Sequence, residues 1–558
     1  MIYRYTVLSA LLASASATPL ALKRANLTTA QSWKDVPLSS DLTYVPCFDN
    51  FTCANLEVPL DYDNPDVGTT NIAFIKYEAL NQPAKGDAIF NPGGPGGSPM
   101  NFFWDPSSYG LLRGLLGDDW NIVGMDPRGV NNSGPNLDCF DGHPAIRDFY
   151  EIQAFSDIDP RSSVSISKYF ETSGAYGTWC SQTLNNTANY ANTPATARDM
   201  LQYAEKLAES QGEPSEEAVV NYYGASYGTA LGTTFAQMFP ERVGKFIIDA
   251  VQDVEDYYFG SWSKNLLQAD EAVNAFFSYC AEAGPNCALY RNGTTADDIK
   301  QRLDTVLKNM EDSPVTVADP NFVQFPVVLT HMDLRGLILT ALYNPPVYWT
   351  SLATVISLLE ERNGTLLVQF AEKGKMPVAE CDNPPDTYST IDPKLLIACN
   401  DNNKRFTVTE ESLAALFMGQ RDLSEYVGDV WPIVIVPQCR NLRFASPPNQ
   451  VFNKFEVKET KSPILFIDNT IDPVTSSYDQ MSAFFPGSGI LLQDAVGHGV
   501  IVTTSNCTSS YVQKYLETLE LPPPDTVCET DFDPFAAPAA GAEKRSVVPR
   551  TVPFSHRM

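Results

Sequence analysis

The stretch "NYYGASYGTALG", Asn221 to Gly232, passes from an aromatic, β-branched run through Gly, Ala and Ser into a sequence with helical spacing. The run before it, "AVVNYY" from Ala218 to Tyr223, has the Val and Tyr content of a buried strand. The run after it, "TALGTTFAQMFPERV", spaces Leu231, Phe235 and Met238 at helical intervals until Pro240 stops it. Ser226 stands between the two, with Gly224 and Gly228 as small neighbours. A strand that turns so sharply into a helix needs small residues on both sides, and a serine at the apex has the form of a nucleophile elbow. At average Gly and Ser usage a chain of this length matches G-x-S-x-G by accident about 0.2 times. A plain glycine-rich turn is therefore the competing reading, and the rest of the chain has to supply a base, an acid and an oxyanion hole.

Upstream, "GDAIFNPGGPGGSPMNFFW" reads as a short strand, Ala88 to Phe90, followed by a Gly/Pro loop. Such a loop brings backbone N–H groups to a ligand without side-chain obstruction, as an oxyanion hole requires. Pro95 has no N–H, so Gly94 is the expected donor, joined by the N–H of Tyr227 just after the serine. Between loop and elbow, "WNIVGMDPRGVNNSG" gives another buried strand ending at Asp126 and Arg128, which are expected to brace loops by an ion pair.

Downstream, "SPILFIDNTIDPVTSSYDQM" reads as a strand, Ile464 to Ile467, with Asp468 at its end and Asp472 in the loop beyond. "GSGILLQDAVGHGVIV" gives another strand and a loop that holds His498 between two glycines. The other histidines have weaker settings: His143 in a Cys/Pro/Gly loop, His331 opening an apolar helix, His556 in the tail. The chain order Ser226, Asp472, His498 is that of α/β-hydrolases rather than of the chymotrypsin or subtilisin classes. In that chemistry the imidazole takes the serine proton and later gives it to the leaving group, while the carboxylate fixes the ring's tautomer. Asp472 is preferred as the acid for its place in a loop. Asp468, and Asp249 at the end of "KFIIDAV", stay open as alternatives, because some α/β-hydrolases draw the acid from the earlier strand.

The N-terminus "MIYRYTVLSALLASASATPL" has a basic residue, a short apolar run and the A-x-A stretch Ala15-Ser16-Ala17, the form of a cleaved secretory signal over 1–17. Lys23-Arg24 and Lys544-Arg545 fit dibasic processing sites, the first closing a propeptide over 18–24. Eleven cysteines in an oxidising compartment predict several disulfides. Cys47/Cys53, Cys280/Cys287 and Cys507/Cys528 are natural local staples, and the odd count leaves one thiol over. Sequons at Asn26, Asn50, Asn131, Asn185, Asn292, Asn363 and Asn506 fit a glycosylated surface. No C-x-x-C cluster offers a metal site, and neither metal nor cofactor is expected. A formal net charge of −29 argues against nucleic acid or anionic membranes as partners and fits solubility in an acidic medium.

The ordered set "NPGGPGGS", "DPRGVNNSG", "GASYGT", "IIDAV", "LIACNDNN", "NTIDPVT" and "GHG", followed by Cys507 and "LPPPDTVC", closely resembles secreted α/β-hydrolases of the tripeptidyl aminopeptidase type, within the prolyl-aminopeptidase-like serine peptidases. The resemblance runs from about Leu42 to Phe535. Residue by residue it implies Ser226 as nucleophile, Asp472 and His498 as its partners, and the Gly93-Gly94 loop as oxyanion hole, and it favours Asp472 over Asp249. In the wider family a His often precedes the paired glycines, and here that place is Pro92.

The implied fold is a mostly parallel central sheet flanked by helices, an α/β-hydrolase with a large inserted helical cap. The expected division is core over 25–260, cap over 261–430, core again over 431–535, and a disordered Ala/Pro-rich tail over 536–558. Within the cap, "MDLRGLILTALYNPPVYWTSLATVISLLEERNG" reads as helices broken at Pro345-Pro346, and "ESLAALFMGQ" as another. Tyr343 and Trp349 are open to two uses, core packing or lining a pocket for a proline ring. By resemblance the cap restricts access to chain ends, so the implied activity is that of a secreted, extracellular serine exopeptidase acting on short peptides through an acyl-enzyme on Ser226. A secreted carboxylesterase or lipase-like hydrolase is the alternative enzyme, and a non-catalytic hydrolase-fold binding protein the alternative class. An aminopeptidase also needs a carboxylate for the substrate's ammonium group, for which Glu255 and Asp256 are candidates where core hands over to cap.

Overall fold

The computed structural model describes residues 29–535 except 141, 156–157, 376–387, 405–407, 435–438, 504 and 531–532. The expected signal, propeptide, dibasic pairs and tail, together with Asn26, Cys381 and His556, lie outside the described residues.

Apolar runs with β-branched and aromatic side chains assemble into one 11-stranded sheet. Its strands are Leu38–Ser39 (β1), Val45–Cys47 (β2), Phe51–Pro59 (β3), Thr69–Tyr77 (β4), Asp87–Asn91 (β5), Asn121–Met125 (β6), Val220–Ala225 (β7) and Val243–Asp249 (β8). A separate antiparallel pair, Val315–Val317 (β9) and Val327–Leu329 (β10), follows in the insertion, and the sheet resumes with Ile464–Ile471 (β11), Gly489–Val496 (β12) and Val527–Glu529 (β13). The order is β1-β3-β4-β6-β5-β7-β8-β11-β12-β13, with β2 beside β3. Every neighbour pair from β6 through β13 is parallel, and the antiparallel pairs β2/β3, β3/β4 and β4/β6 lie toward the opposite edge. This is the sheet of an α/β-hydrolase.

Alternation along the strands explains why helices cover both faces. Tyr222, Phe246, Ile248 and Phe466 enter one apolar cluster, with the helices Thr193–Gln211 and Tyr227–Met238. Tyr223, Ile247, Leu465 and Ile467 enter the other, with Pro106–Leu116 and Asn506–Thr518. The order reverses where β6 lies outside β5, so the loops after β5 and β7 emerge side by side. Asn91 at the end of β5 stands opposite Gly224 of β7, Ala225 opposite Asp249 of β8, and Asp249 opposite Ile467 of β11.

Between β8 and β11 the chain is mainly helical, including Ala269–Glu282, Ala296–Asp312, His331–Tyr343, Pro345–Glu360, Ile391–Asp401 and Glu410–Leu423. The break expected at Pro345-Pro346 falls at Asn344, because proline fits the first turn of a helix and Pro345 opens the second one. Ser163–Thr183, within the span assigned to the core, packs on this insertion: Ile166 and Tyr169 share an apolar cluster with Leu413 and Phe417. The cap is thus assembled from two chain segments. Trp349 is fully buried against Phe276, Tyr279 and Phe535, which makes it a packing residue.

The three local disulfides form as expected, and two longer ones join them, Cys139–Cys180 and Cys399–Cys439. Among the sequons, Asn50, Asn185, Asn292, Asn363 and Asn506 are exposed, whereas Asn131 is half-buried and donates its amide to Ser98 Oγ.

Asp126 and Arg128 do not pair with each other. Leaving the end of β6, Asp126 turns toward the loop after β5 and accepts from Ser98 Oγ at 2.6 Å. Arg128 turns the opposite way and grips Asp199 with a two-pronged contact, 2.6 and 2.9 Å, while donating also to the carbonyls of Pro59, Leu60 and Tyr190. Both members of this ion pair have no solvent exposure. Removing one partner of such a pair strands the other's charge, so Arg128→Ala should lower unfolding free energy by about 3–5 kcal/mol. Lys308→Ala, which breaks the exposed Lys308–Asp312 pair, should change it by less than about 1 kcal/mol. Urea unfolding followed by circular dichroism checks both values.

Candidate active site

Ser226 has φ 57° and ψ −125°, backbone angles that cost a non-glycine residue about 1–3 kcal/mol and persist only where the surroundings enforce them. The enforcement is visible. Its N–H bonds the Asp249 carbonyl at 3.0 Å, and the helix Tyr227–Met238 starts at the next residue. A Cβ at Gly224 would stand 2.5 Å from the Gly228 carbonyl, and one at Gly228 would stand 2.7 Å from the Asn91 carbonyl. The small residues are required by close backbone approach.

The glycine loop presses directly on this turn. A Cβ at Gly93 would lie 2.7 Å from the Ala225 carbonyl oxygen and 3.0 Å from the Tyr227 nitrogen. The Gly93 N–H is already committed to Asn91 Oδ1 at 2.9 Å, so the next amide, that of Gly94, is the loop's candidate donor. Tyr227 opens its helix, where no intrahelical carbonyl can take its N–H. The Tyr227 hydroxyl shares a 2.6 Å hydrogen bond with Thr193 Oγ1, and Thr193 in turn bonds the buried Asp401. Asp401 lies in the "CNDNN" stretch, so that motif anchors the elbow helix through Thr193.

Of the three candidate acids, only Asp472 hydrogen-bonds the imidazole. His498 Nδ1 lies 3.1 and 3.0 Å from its two carboxylate oxygens. Oδ1 also accepts from the N–H groups of Val474 (2.8 Å) and Thr475 (2.9 Å), and Oδ2 from that of Gly499 (3.1 Å). Three amides and an imidazole N–H thus surround this fully buried carboxyl group with donors. Asp249 instead accepts from the Tyr223 hydroxyl and the Val500 N–H, and Asp468 from the N–H groups of Val251 and Asn469. Burial pushes Asp249 up to about 6. Burial, and then the charges of Asp472 and Asp249, push Asp468 well above the carboxylate range.

The His498 N–H bonds the Tyr343 carbonyl at 3.0 Å, and the two rings meet edge to face at 4.9 Å. Tyr343 therefore couples the cap to the histidine. His498 Nε2 is buried and makes no hydrogen bond to another described residue. Glu255 is exposed, and Asp256 is saturated by Ser261 Oγ, Ser263 Oγ and the Lys264 N–H. Neither stands as a ready site for an ammonium group. Among the described residues no group of three His, Cys, Asp or Glu is placed to hold a metal ion, and no helix is long and apolar enough to cross a membrane.

An elbow serine, a glycine loop against it and an Asp-His pair at the same sheet edge define a hydrolase site of the α/β-hydrolase class. Residues 424–528 match the family described as TAP-like protein, a span that holds Asp472 and His498. Serine protease Hip1 of Mycobacterium tuberculosis is 25% identical over 493 residues, covering 85% of this chain and 87% of that protein. Tripeptidyl aminopeptidase of Streptomyces coelicolor is 29% identical over 253 residues, 45% of this chain and 44% of that one. Carboxylesterase B of Mycobacterium tuberculosis is 25% identical over 491 residues, 85% and 86% respectively. The chain has the α/β-hydrolase fold, and its segment 424–528 is similar to the TAP-like family.

The buried carboxyls carry a pH signature. Burial pushes Asp126 and Asp392 up to about 7, Asp249 and Asp401 up to about 6, and Asp468 upward as well. A carboxyl raised above its unfolded value of about 3.9 binds more protons in the folded state, so its stabilisation is complete below that value and lost as pH rises through 6 to 7. His331, lowered by burial and by Arg161 and Arg335, and Lys394, lowered by burial to about 7, oppose this but are two groups against five. The melting temperature should therefore be higher at about pH 4.5 than at about pH 7.5, with the fall concentrated between. Calorimetry across that range checks the sign.

Proposed function

We propose that the protein is a serine peptidase that hydrolyses short peptides from a free N-terminus, secreted from the cell. The Asp472–His498 pair, set on the same sheet edge as the Ser226 elbow, carries the reading. Asp472 holds the imidazole with its proton on Nδ1, leaving Nε2 to accept the Ser226 proton as the hydroxyl oxygen attacks the scissile carbonyl. Negative charge then develops on the carbonyl oxygen, where the N–H groups of Gly94 and Tyr227 receive it. The imidazolium gives its proton to the leaving amine, and water attacks the acyl-enzyme by the same route in reverse.

Peptide rather than ester substrates are supported by the serine protease and tripeptidyl aminopeptidase relatives. The two-segment cap over the sheet edge supports short substrates, since it restricts approach. Secretion is supported by the signal-like N-terminus, the five disulfides and the exposed sequons.

Ser226→Ala should abolish turnover by several orders of magnitude while leaving the fold intact. Asp472→Asn should cost on the order of 10⁴ in kcat, and Asp249→Asn should act mainly on stability. A larger kcat loss for Asp249→Asn at equal folded fraction would move the acid to β8.

The substrate's charge separates peptidase from esterase. Acetylating the N-terminus of a good peptide substrate removes its ammonium charge and should lower kcat/KM at least about tenfold. Equal cleavage of acetylated peptides, with simple aryl esters as the best substrates, would favour a carboxylesterase instead.

A further inference from the structure

We propose that Asn469 is a positioning residue that fixes His498 for proton transfer; this rests on His498 acting as the general base. Asn469 lies in β11 and is fully buried. Its amide nitrogen donates to the carbonyl of Gly497 at 2.8 Å and to that of Gly499 at 2.9 Å. These are the residues on either side of the histidine, so one side chain spans His498 and both its amide hydrogens are used in doing so.

The clamp continues outward. Asn469 Oδ1 accepts from Gln493 Nε2 at 3.2 Å, directly opposite on β12. Gln493 Nε2 shares its two hydrogens among Asn469 Oδ1 and the carbonyls of Val500 and Thr503, and its Oε1 accepts from Thr508 Oγ1 at 2.8 Å. The whole histidine loop from Gly497 to Thr503 is thereby hung from two buried amides.

The loop needs such a support. Gly497 and Gly499 have φ 135° and 82°, and glycine leaves the unfolded chain the widest choice of conformations. A histidine between two glycines has little local preference for one orientation. An apolar residue at 469 would pack in the sheet at no polar desolvation cost, yet it could not hold either carbonyl. Asp472 orients the imidazole ring through Nδ1; Asn469 places the backbone that carries the ring.

The test uses Asn469→Ala, which deletes both donors, and Asn469→Asp, which keeps the shape but cannot donate two hydrogen bonds. For each, kcat and KM on one peptide substrate are measured per folded molecule, with the folded fraction taken from circular dichroism. The rate of Ser226 labelling by a fluorophosphonate is measured in parallel, since it too depends on the base. The expected result is a kcat about 10²-fold lower, the scale of a misplaced catalytic group, with labelling slowed in step and KM changed by less than about threefold. The proposal is overturned if kcat per folded molecule stays within about threefold of the native enzyme in both variants, if the loss falls on KM, or if labelling is unaffected while kcat drops. Failure of the underlying triad reading would show separately, as retained activity in Ser226→Ala with the native Asn469.

Discussion

Parallel pairing of β5, β7, β8, β11 and β12 is the constraint on which the site depends. Strands that run the same way deliver all their following loops to one edge, and the reversal of order at β5 and β6 opens space there. With Asn91 opposite Gly224 and Asp249 opposite Ile467, the glycine loop, the elbow, the acid and the histidine arrive within one neighbourhood. Their separation in sequence, from Gly93 to His498, is spanned by the sheet.

The carboxyls at that edge are buried, and the chemistry of burial then sorts them. Asp249, Asp468 and Asp472 are all without exposure, and their charges repel one another. Three amides and His498 surround Asp472 with donors, while burial drives Asp249 and Asp468 toward the protonated form. A buried carboxylate surrounded by donors orients an imidazole, whereas a neutral carboxyl beside it serves as a bridge between loops. Asp249 links β7, β8 and the residue two places after His498 in that way.

The cap is coupled to this machinery at a definite point. The Tyr343 carbonyl holds the His498 N–H, and Pro345 lies against Gly497, where a Cβ would come within 2.9 Å of its ring. The junction of the two helices broken at Asn344 therefore rests on the histidine loop. One contact thus ties the cap to the loop that carries His498.

Much of this was legible in the chain. Ser226 between small residues, the Gly93-Gly94 loop, Asp472 and His498 in order, and the three local cysteine pairs were each marked by residue type and spacing, because sharp turns demand glycine and local staples demand proximity. The partners that cross long stretches were not. Arg128 adjoins Asp126 in sequence and pairs with Asp199; Ser163–Thr183 joins the cap; Asn469 in a plain strand spans the histidine. The chain alone favours Asp472 for its place in a loop but leaves Asp249 and Asp468 open. Local sequence determines where the backbone turns and which side chains stand at the turns. Which carboxylate faces the imidazole, and what holds the histidine loop, depends on strand register and on the supply of buried donors, and only the assembled sheet decides these.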